Sequence, residues 1–303
     1  MIQAIIDIGS NTVRMAIYDI EGRQVEMIMK KKNMVGLASY LKNNVMEQQG
    51  IDKVCEVLDE YRIFLQSFHI TAVTAFTTAA LRNAANSSEA VEEIVRRTNI
   101  PVRVITGDEE AIFDFIGATH DVSDPEGLLI DIGGASTEIV YYKQHQIVRK
   151  VSLLVGSLAL KTKYVQDILP NGPEIAAMQI EVKSMLKTVW ELKGIRHASI
   201  CGIGGTFKGA CSLYNLLFKR RRENLTMQAK RFLPMIDLYR RDREISVDDT
   251  IRFMKAVPER LHTIIPGLVI ADVLAQHFQS DKIIYSDSGV REGYIYDQLL
   301  NKK

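Results

Sequence analysis

The 303-residue sequence contains few cysteines and no long hydrophobic run. Its three cysteines form no CxxC pair, which argues against a disulfide framework and against a cysteine zinc site. We interpret them as reduced core thiols of a cytoplasmic protein. No stretch reaches the roughly 18 consecutive apolar residues of a transmembrane helix, and the first residues lack the pattern of a secretion signal. We therefore expect a cytoplasmic location and no membrane partner.

Several catalytic signatures are also absent. The six histidines form no HExxH motif and no i, i+4 pair, so they give no sign of a zinc site. Neither the GxSxG elbow of serine hydrolases nor the GxxxxGK[ST] phosphate loop occurs. The net charge of +1 gives the chain as a whole no preference for a polyanion. These absences argue against an HExxH zinc enzyme, a GxSxG serine hydrolase and a P-loop nucleotide hydrolase. Evidence for function therefore has to come from less regular patterns.

Two stretches of the sequence repeat one pattern. IIDIGSNTVRMAIYD and LLIDIGGASTEIVYY align without gaps, with Asp7 on Asp131 and Gly9 on Gly133. Each predicts a β-hairpin, in which an apolar strand, a tight glycine turn and a second apolar strand follow one another. Because the Asp, the Gly and the turn length are all kept, we favour duplication of one structural unit over coincidence.

Two domains of mixed α/β structure are expected. A chain of 303 residues exceeds what one hydrophobic core usually covers. In each half, strands in hairpins precede alternating strands and helices, which is typical of α/β domains with mixed sheets. We place the boundary at a Pro-Gly turn, giving domains 1–124 and 125–303, and leave open whether a C-terminal helix at 289–303 packs back onto the first domain. No helix or strand is predicted between residues 217 and 247.

Carboxylates lie beside the glycine turns of both hairpins. Backbone N–H groups in such turns attract anions, whereas carboxylates repel a bare phosphate. The two are compatible if a divalent cation such as Mg²⁺ or Mn²⁺ bridges them, and sites between domains commonly hold ligands. The candidate metal ligands are Asp7, Asp131 and Glu138. The candidate phosphate-binding residues are Gly9, Ser10, Asn11, Gly133, Gly134, Ala135 and Ser136.

A third glycine turn occurs in ICGIGGTFKGA, where a predicted strand runs into a helix. Its N–H groups could also bind phosphate, and the candidates there are Gly204, Gly205, Thr206 and Lys208. The alternative is that the glycines only allow tight packing between strand and helix, with Lys208 in solvent. The sequence leaves both readings open.

An acidic group and a basic group complete the local patterns. Asp108, Glu109 and Glu110 fall at a predicted helix start, where the helix dipole favours acids, and hydrolysis of a phosphate ester or anhydride by water also needs a base. Arg82, one turn into the helix of TTAALRNA, could stabilise charge on a transferring phosphoryl group. The alternative roles are capping for the acids and simple exposure for the arginine.

A basic run stands out in an otherwise neutral chain. Residues 219–243 contain nine Lys or Arg and three Asp or Glu, a local net charge of +6. One reading is a solvated face, and the other is a track for a long polyanion. Nucleic acid is disfavoured because only Phe232 and Tyr239 are interleaved for stacking. The candidate track residues are Lys219, Arg220, Arg221, Arg222, Lys230 and Arg231.

These motifs together resemble the exopolyphosphatase / guanosine pentaphosphate phosphatase (Ppx/GppA) family, within the actin / sugar kinase / Hsp70 superfamily. They occur in the family's order over nearly the whole chain: DIGSNTVRMAI, TAVTAFTTAALRNAAN, ITGDEEAIF, LLIDIGGASTEIV, CGIGGTFKG and SDSGVREGYIYD. Ala135 stands where the family usually has a third glycine, and we expect little loss unless that position needs a positive φ. The length matches short members that lack a C-terminal HD-like domain.

The resemblance implies two actin-like (ribonuclease H-like) domains with a cleft between them. It implies Mg²⁺-assisted removal of terminal phosphate from polyphosphate, or of the 5′ γ-phosphate from guanosine pentaphosphate. By the same resemblance Glu110 is the base, Glu109 is a capping acid and Arg82 contacts phosphate. A non-catalytic binder of guanosine tetra- or pentaphosphate and a small-molecule kinase of the same fold remain the alternatives, and a homodimer is left open.

Overall fold

The computed structural model describes residues 1–120 and 125–300, which form two compact units. Unit 1 contains Met1–Glu110 and the C-terminal residues from Tyr294, and unit 2 contains Ala111–Gly293. The boundary predicted at residue 124 falls on residues 121–124, which lie outside the described part of the chain. The division into 1–124 and 125–303 therefore stays a prediction.

Unit 1 is built on a five-stranded mixed sheet. Its elements in chain order are β1 (Ile2–Ile8), β2 (Thr12–Glu21), β3 (Gln24–Met34), the short pair β4 (Leu41–Lys42) and β5 (Val45–Met46), α1 (Gln48–Ser67), β6 (Val73–Thr77), α2 (Ala79–Arg82), α3 (Ser87–Thr98), β7 (Val102–Val104) and the start of α4 (Gly107–Thr119). The sheet order is β3-β2-β1-β6-β7. β1 pairs antiparallel with β2 and parallel with β6, and as a central strand it is buried on both faces.

Unit 2 repeats this plan with a six-stranded sheet. Its elements are β8 (Glu126–Ile132), β9 (Thr137–Lys143), β10 (Gln146–Leu153), α5 (Ser157–Tyr164), α6 (Gly172–Thr188), β11 (Ser199–Ile203), α7 (Gly204–Leu217), β12 (Thr226–Gln228), α8 (Phe232–Leu238), α9 (Val247–Ala256), α10 (Ile264–Phe278), β13 (Lys282–Tyr285) and α11 (Val290–Tyr294). The sheet order is β10-β9-β8-β11-β13-β12. The predicted α/β fold with mixed sheets is therefore confirmed.

The two predicted hairpins are present and share one register. In the first hairpin Ile8 pairs with Val13, and in the second Ile132 pairs with Thr137. The paired residues are equally spaced in both hairpins, so the turns have the same length. The sequence repeat therefore corresponds to a repeat of backbone structure.

The basic run contains structure that the sequence analysis missed. β12 and α8 both lie between residues 217 and 247, where no element was predicted. β12 has three residues and α8 has seven, which is too short for hydrophobic periodicity to reveal either element. The prediction that this segment contains no helix or strand was wrong.

The C-terminal segment beyond α11 continues as a π-helix over Ile295–Leu300, and residues 301–303 lie outside the described part of the chain. Within unit 1 the ring of Tyr294 stacks on Phe76, with the ring centroids 5.3 Å apart. Among the residues that the structure describes, every helix is too short or too polar to span a membrane.

Helix α10 carries a buried carboxyl group in an apolar setting. Asp272 is 4% exposed, and its Oδ2 accepts a hydrogen bond from Nε2 of Gln276 at 2.7 Å. Burial raises the pKa of Asp272 to about 6, against the opposing effects of Lys183 and Gln276. The charged form of this side chain is therefore disfavoured in the folded protein.

Asp272→Asn is expected to raise the free energy of unfolding more at pH 8 than at pH 4. Between the ordinary pKa of 3.8 and about 6 the native state binds more protons than the unfolded state, so stability falls as pH rises through this window. At about 1.4 kcal/mol per pKa unit, the carboxylate costs roughly 2–3 kcal/mol above the window. Urea unfolding of both proteins at the two pH values measures this, and a pH-independent difference would contradict it.

Candidate functional site

The first glycine turn is held by its own backbone and by the following loop. The N–H of Gly9 donates to the carbonyl of Thr12 at 3.0 Å, and the carbonyls of Ser10 and Asn11 accept hydrogen bonds from residues 35–38. Asn11 is only 5% exposed, yet neither side-chain polar atom has a hydrogen-bond partner among the described residues. Buried polar groups are normally satisfied, so this amide fits a ligand that supplies the missing partners, such as a phosphate or its bound water.

Asp7 ends β1 beside this turn. Its register partner across the hairpin is Arg14, and the Arg14 Nη1 lies 3.7 Å from Oδ2 of Asp7. The Asp7 side chain is buried. The pairing partly neutralises the carboxylate, and a role for Asp7 in metal binding stays a prediction.

Arg82 and Glu110 form a partly buried ion pair at the start of α4. Nη1 of Arg82 donates to Oε2 of Glu110 at 2.6 Å and also lies 3.3 Å from the carbonyl of Ile105. Glu110 is 8% exposed. The two side chains that the sequence analysis singled out separately, for catalysis and for phosphate contact, are thus in direct contact within unit 1.

Glu109 caps the same helix. The Thr106 N–H donates to Oε2 of Glu109 at 2.8 Å, and the Glu109 N–H donates to Oγ1 of Thr106 at 3.1 Å. This reciprocal pair is a capping box. Arg103 also forms an ion pair with Glu109. The predicted capping role of Glu109 is confirmed, and the catalytic role of Glu110 stays a prediction.

The second glycine turn has the same geometry as the first. The N–H of Gly133 donates to the carbonyl of Ser136 at 2.9 Å, as Gly9 does to Thr12. Ala135 is not among the described residues with positive φ. The departure from glycine at this position therefore introduces no backbone strain, as expected for a turn that does not need the left-handed region.

Helix α5 braces the second turn from behind. The carbonyl of Gly133 accepts from the N–H and the hydroxyl of Ser157, and the carbonyl of Gly134 accepts from two further α5 N–H groups. A side chain at Gly156 would overlap the backbone of Gly134. The sequence analysis missed Gly156 and Ser157, because the Gly-Ser step before α5 reads simply as a helix start.

Asp131 and Glu138 are register partners across the second hairpin. Glu138 is buried, and its Oε1 accepts a hydrogen bond from the hydroxyl of Ser152 at 2.8 Å. Oxygen donors of this kind suit Mg²⁺ or Mn²⁺. Among the described residues no group of three or more His, Cys, Asp or Glu could hold a metal. A metal at Asp131 and Glu138 would need phosphate or water oxygens to complete its coordination.

The third turn begins α7 and packs directly against the second hairpin. Gly204 has φ +76° and its Cα lies against the carboxylate of Asp131, so a side chain here would be both strained and in collision. The hydroxyl of Thr206 donates to the carbonyl of Ile132 at 2.7 Å. Because the hydroxyl is used in this bond, the backbone N–H of Thr206 at the start of α7 is the group that could bind an anion.

Two cations lie near the third turn. Lys208 Nζ is 2.8 Å from Oδ1 of Asp287, with both side chains about half exposed. The Arg260 guanidinium covers Gly205, where any side chain would overlap it. Burial lowers the pKa of His262, and Lys161 and Arg260 lower it further. Arg260 was missed because no local motif surrounds it, and it adds positive charge beside the turn.

The basic run divides into paired and unpaired cations. Arg240 pairs with Asp237 and Asp242, and Arg241 pairs with Asp167. The basic segment is defined here as Lys219, Arg220, Arg221, Arg222, Lys230 and Arg231, which are exposed and form no ion pair within the described residues. Arg243 is a further exposed cation of the run without an ion pair among those residues. The predicted track residues therefore all carry uncompensated charge.

This chain is similar to known proteins in sequence and in fold. The profile of the Ppx/GppA phosphatase family matches residues 16–302. A putative exopolyphosphatase from Haemophilus influenzae is 27% identical, covering 98% of this chain and 91% of the relative. A bifunctional 3-dehydroquinate synthase/phosphatase from Fusobacterium nucleatum is 26% identical over 99% of this chain, which spans 47% of that relative.

Solved structures agree in fold. An exopolyphosphatase from Cytophaga hutchinsonii superposes with a TM-score of 0.85 at 22% identity, covering 100% of this chain and 99% of that one. The Ppx/GppA family member of Aquifex aeolicus gives a TM-score of 0.76 at 24% identity, with coverage of 100% and 99%. At these identities the likeness supports the fold alone.

Proposed function

Because the chain belongs to the Ppx/GppA phosphatase family, we propose that it is a phosphoanhydride hydrolase. Its substrate is inorganic polyphosphate, from which it releases the terminal phosphate, or guanosine pentaphosphate, from which it releases the 5′ γ-phosphate. The observation that supports the proposal is the partly buried contact of Arg82 with Glu110 at 2.6 Å in the first turn of α4. In the proposal Glu110 is the base and Arg82 is the cation that contacts the phosphate.

Glu110 acts on the attacking water in this proposal. The water oxygen attacks the terminal phosphorus while its proton passes to the Glu110 carboxylate. The bond from phosphorus to the bridging oxygen then breaks, and the shortened chain leaves with the electron pair on that oxygen. Arg82 holds the carboxylate in place and offers its remaining N–H groups to the phosphoryl oxygens.

The glycine turns bind the phosphate oxygens. Short turns at Gly9 and Gly133 and the start of α7 present backbone N–H groups, which favour anions. The unsatisfied amide of Asn11 adds a donor at the first turn. Asp131 and Glu138, which pair across the second hairpin, are the proposed ligands of Mg²⁺ or Mn²⁺, with phosphate or water oxygens completing the coordination. A bound metal ion would neutralise part of the negative charge of the phosphate groups.

A phosphate-release assay tests the function directly. Long polyphosphate, short polyphosphate, guanosine pentaphosphate and ATP are compared with and without Mg²⁺. Release from polyphosphate or guanosine pentaphosphate well above that from ATP supports the proposal. Binding of guanosine tetraphosphate without release from any substrate would favour the non-catalytic binder, and transfer to a small acceptor would favour a kinase.

Replacing Arg220, Arg221 and Arg222 together by Ala is expected to raise KM for long polyphosphate by roughly 3- to 100-fold. Exposed ion pairs contribute about 0.2–1 kcal/mol each, and about 1.4 kcal/mol corresponds to tenfold. ATP is too short to need the basic segment, so its hydrolysis should be unchanged. Initial rates measured against chain concentration at low and high salt check both points, because salt screens exposed charges.

The paired cations of the same run are the matched control. Arg240→Ala with Arg241→Ala removes cations that already have acidic partners, so KM for polyphosphate should stay near that of the unmodified protein. An unchanged KM in the triple variant, or an equal rise for ATP, would place the polyphosphate track elsewhere.

A further inference from the structure

Unit 2 contains a cavity that the proposed reaction does not use. It lies at the C-terminal end of α10 and is lined by residues of 226–233 and 272–282, with a volume of about 780 Å³. Small-molecule sites commonly measure about 300–1,000 Å³. None of the phosphate-binding turns contributes to its lining. The cavity is therefore a separate place where a small ligand would fit.

A carboxyl group lies at the base of this cavity. Asp272 is 4% exposed and lines the cavity, and Gln276 donates to its Oδ2 at 2.7 Å. Its other carboxylate oxygen has no hydrogen-bond partner among the described residues, and no cation among them forms an ion pair with it. Buried carboxylates are usually paired with a cation. Burial raises the pKa of Asp272, and a cationic group bound to it would stabilise its charged form.

The rim of the cavity carries the opposite charge. Lys230 and Lys282 both line it, both are exposed, and neither forms an ion pair within the part of the chain that the structure describes. Asp281 also lies on the rim, and Leu233 provides an apolar wall. A buried acid is thus combined with two lysines nearer the solvent.

We propose that this cavity binds a small organic zwitterion, with an ammonium group on the Asp272 carboxylate and a carboxylate or phosphate group near Lys230 and Lys282. The inference does not rest on the proposed hydrolysis, although Lys230 also belongs to the basic segment. Charge-assisted hydrogen bonds to a buried carboxylate are strong. The rim lysines repel ligands that are only cationic, such as polyamines. The described lining contains no aromatic ring, which disfavours a nucleobase because bases are commonly held by stacking.

Calorimetric titration of the full chain at pH 8 tests the proposal, with 6-aminohexanoate, glycylglycine and O-phosphoethanolamine as probes. At least one zwitterion is expected to bind, and comparison of the carboxylate and phosphate probes identifies the anionic group. Hexylamine has only the ammonium group and hexanoate has only the carboxylate. Each should therefore bind at least about tenfold more weakly than the best zwitterion. Equal binding of hexylamine, or no binding of any zwitterion, overturns the proposal.

Variants locate the binding within the cavity. Asp272→Asn preserves the shape of the side chain and should weaken the best zwitterion by at least about tenfold, with Lys230→Ala giving a smaller loss. Lys187→Ala removes an exposed lysine of α6 outside the lining and should leave affinity unchanged. Melting temperatures show that each variant is folded. Binding by folded Asp272→Asn with the affinity of the unmodified protein overturns the assignment.

Discussion

Glu110→Gln is expected to lower kcat for phosphate release by roughly 10²- to 10⁴-fold, the usual contribution of a general base. Glutamine has nearly the same shape and can still accept the hydrogen bond that Arg82 donates to Glu110 at 2.6 Å. It cannot accept a proton from water. KM for polyphosphate should therefore change little while kcat falls, and the pH–rate profile should lose its acidic limb.

Glu109→Gln is the matched control, one residue away on the same helix. Glutamine also serves at this position of a capping box, so the Thr106 bonds are kept and the ion pair with Arg103 is lost. That loss is worth at most about 1 kcal/mol for a pair of this exposure. Steady-state rates near those of the unmodified protein are expected, with a small change in the urea midpoint.

The two variants together decide the assignment. An inactive Glu109→Gln with an active Glu110→Gln would show that the base is displaced by one residue. Two active variants would show that another group takes the proton, and Glu138, which is buried beside Ser152, would be tested next. A loss of activity in Glu110→Gln that arises only from unfolding would be visible as a lowered melting temperature.

Local patterns carried most of what the sequence predicted correctly. The strands of each hairpin lie next to each other in the sequence, so the strands and the equal turn length could be predicted from the repeat itself. The capping role of Glu109, which distinguishes it from Glu110, also follows from the local sequence. Thr106 and Glu109 have the T-x-x-E spacing of a capping box, and this pattern alone would have assigned Glu109 to the helix start.

Contacts between distant segments could not be predicted in this way. The Thr206 hydroxyl donates to Ile132, which is 74 positions away. Arg260 covers Gly205, and Ser157 holds the carbonyl of Gly133. These contacts depend on how helices pack against a sheet edge, for which a single sequence has no periodic signal. The sequence therefore predicted the glycine turns but missed the groups that brace them.

The third turn shows how such a contact changes an interpretation. The sequence left open whether its glycines serve packing or phosphate binding. Gly204 has a positive φ and lies against the Asp131 carboxylate, so packing requires glycine there, whereas Gly205 lies against the movable guanidinium of Arg260. The same packing brings the start of α7 beside the second hairpin, where its N–H groups would face an anion. The two readings are therefore compatible at these positions.

Asp131→Asn is expected to lower activity at limiting Mg²⁺ by at least about tenfold and to raise the Mg²⁺ concentration needed for half-maximal rate. The amide keeps the volume of the carboxylate, which lies against Gly204, so the geometry of the turn should be preserved. It loses the negative charge that a hard divalent cation prefers. Rates measured over a Mg²⁺ titration, with Mn²⁺ in parallel, separate weakened metal binding from a damaged fold.

Glu126→Gln provides the control on the same strand. Glu126 is at the opposite end of β8, where Tyr141 donates to it at 2.6 Å and Lys143 lies 3.3 Å away. Removal of this charge should leave the Mg²⁺ requirement unchanged, because Glu126 is far along the strand from the turn. A folded Asp131→Asn with an unchanged Mg²⁺ requirement would remove Asp131 from the metal site. The carboxylate would then keep its packing contact with Gly204, and Glu138 and Asp7 would be the remaining candidates.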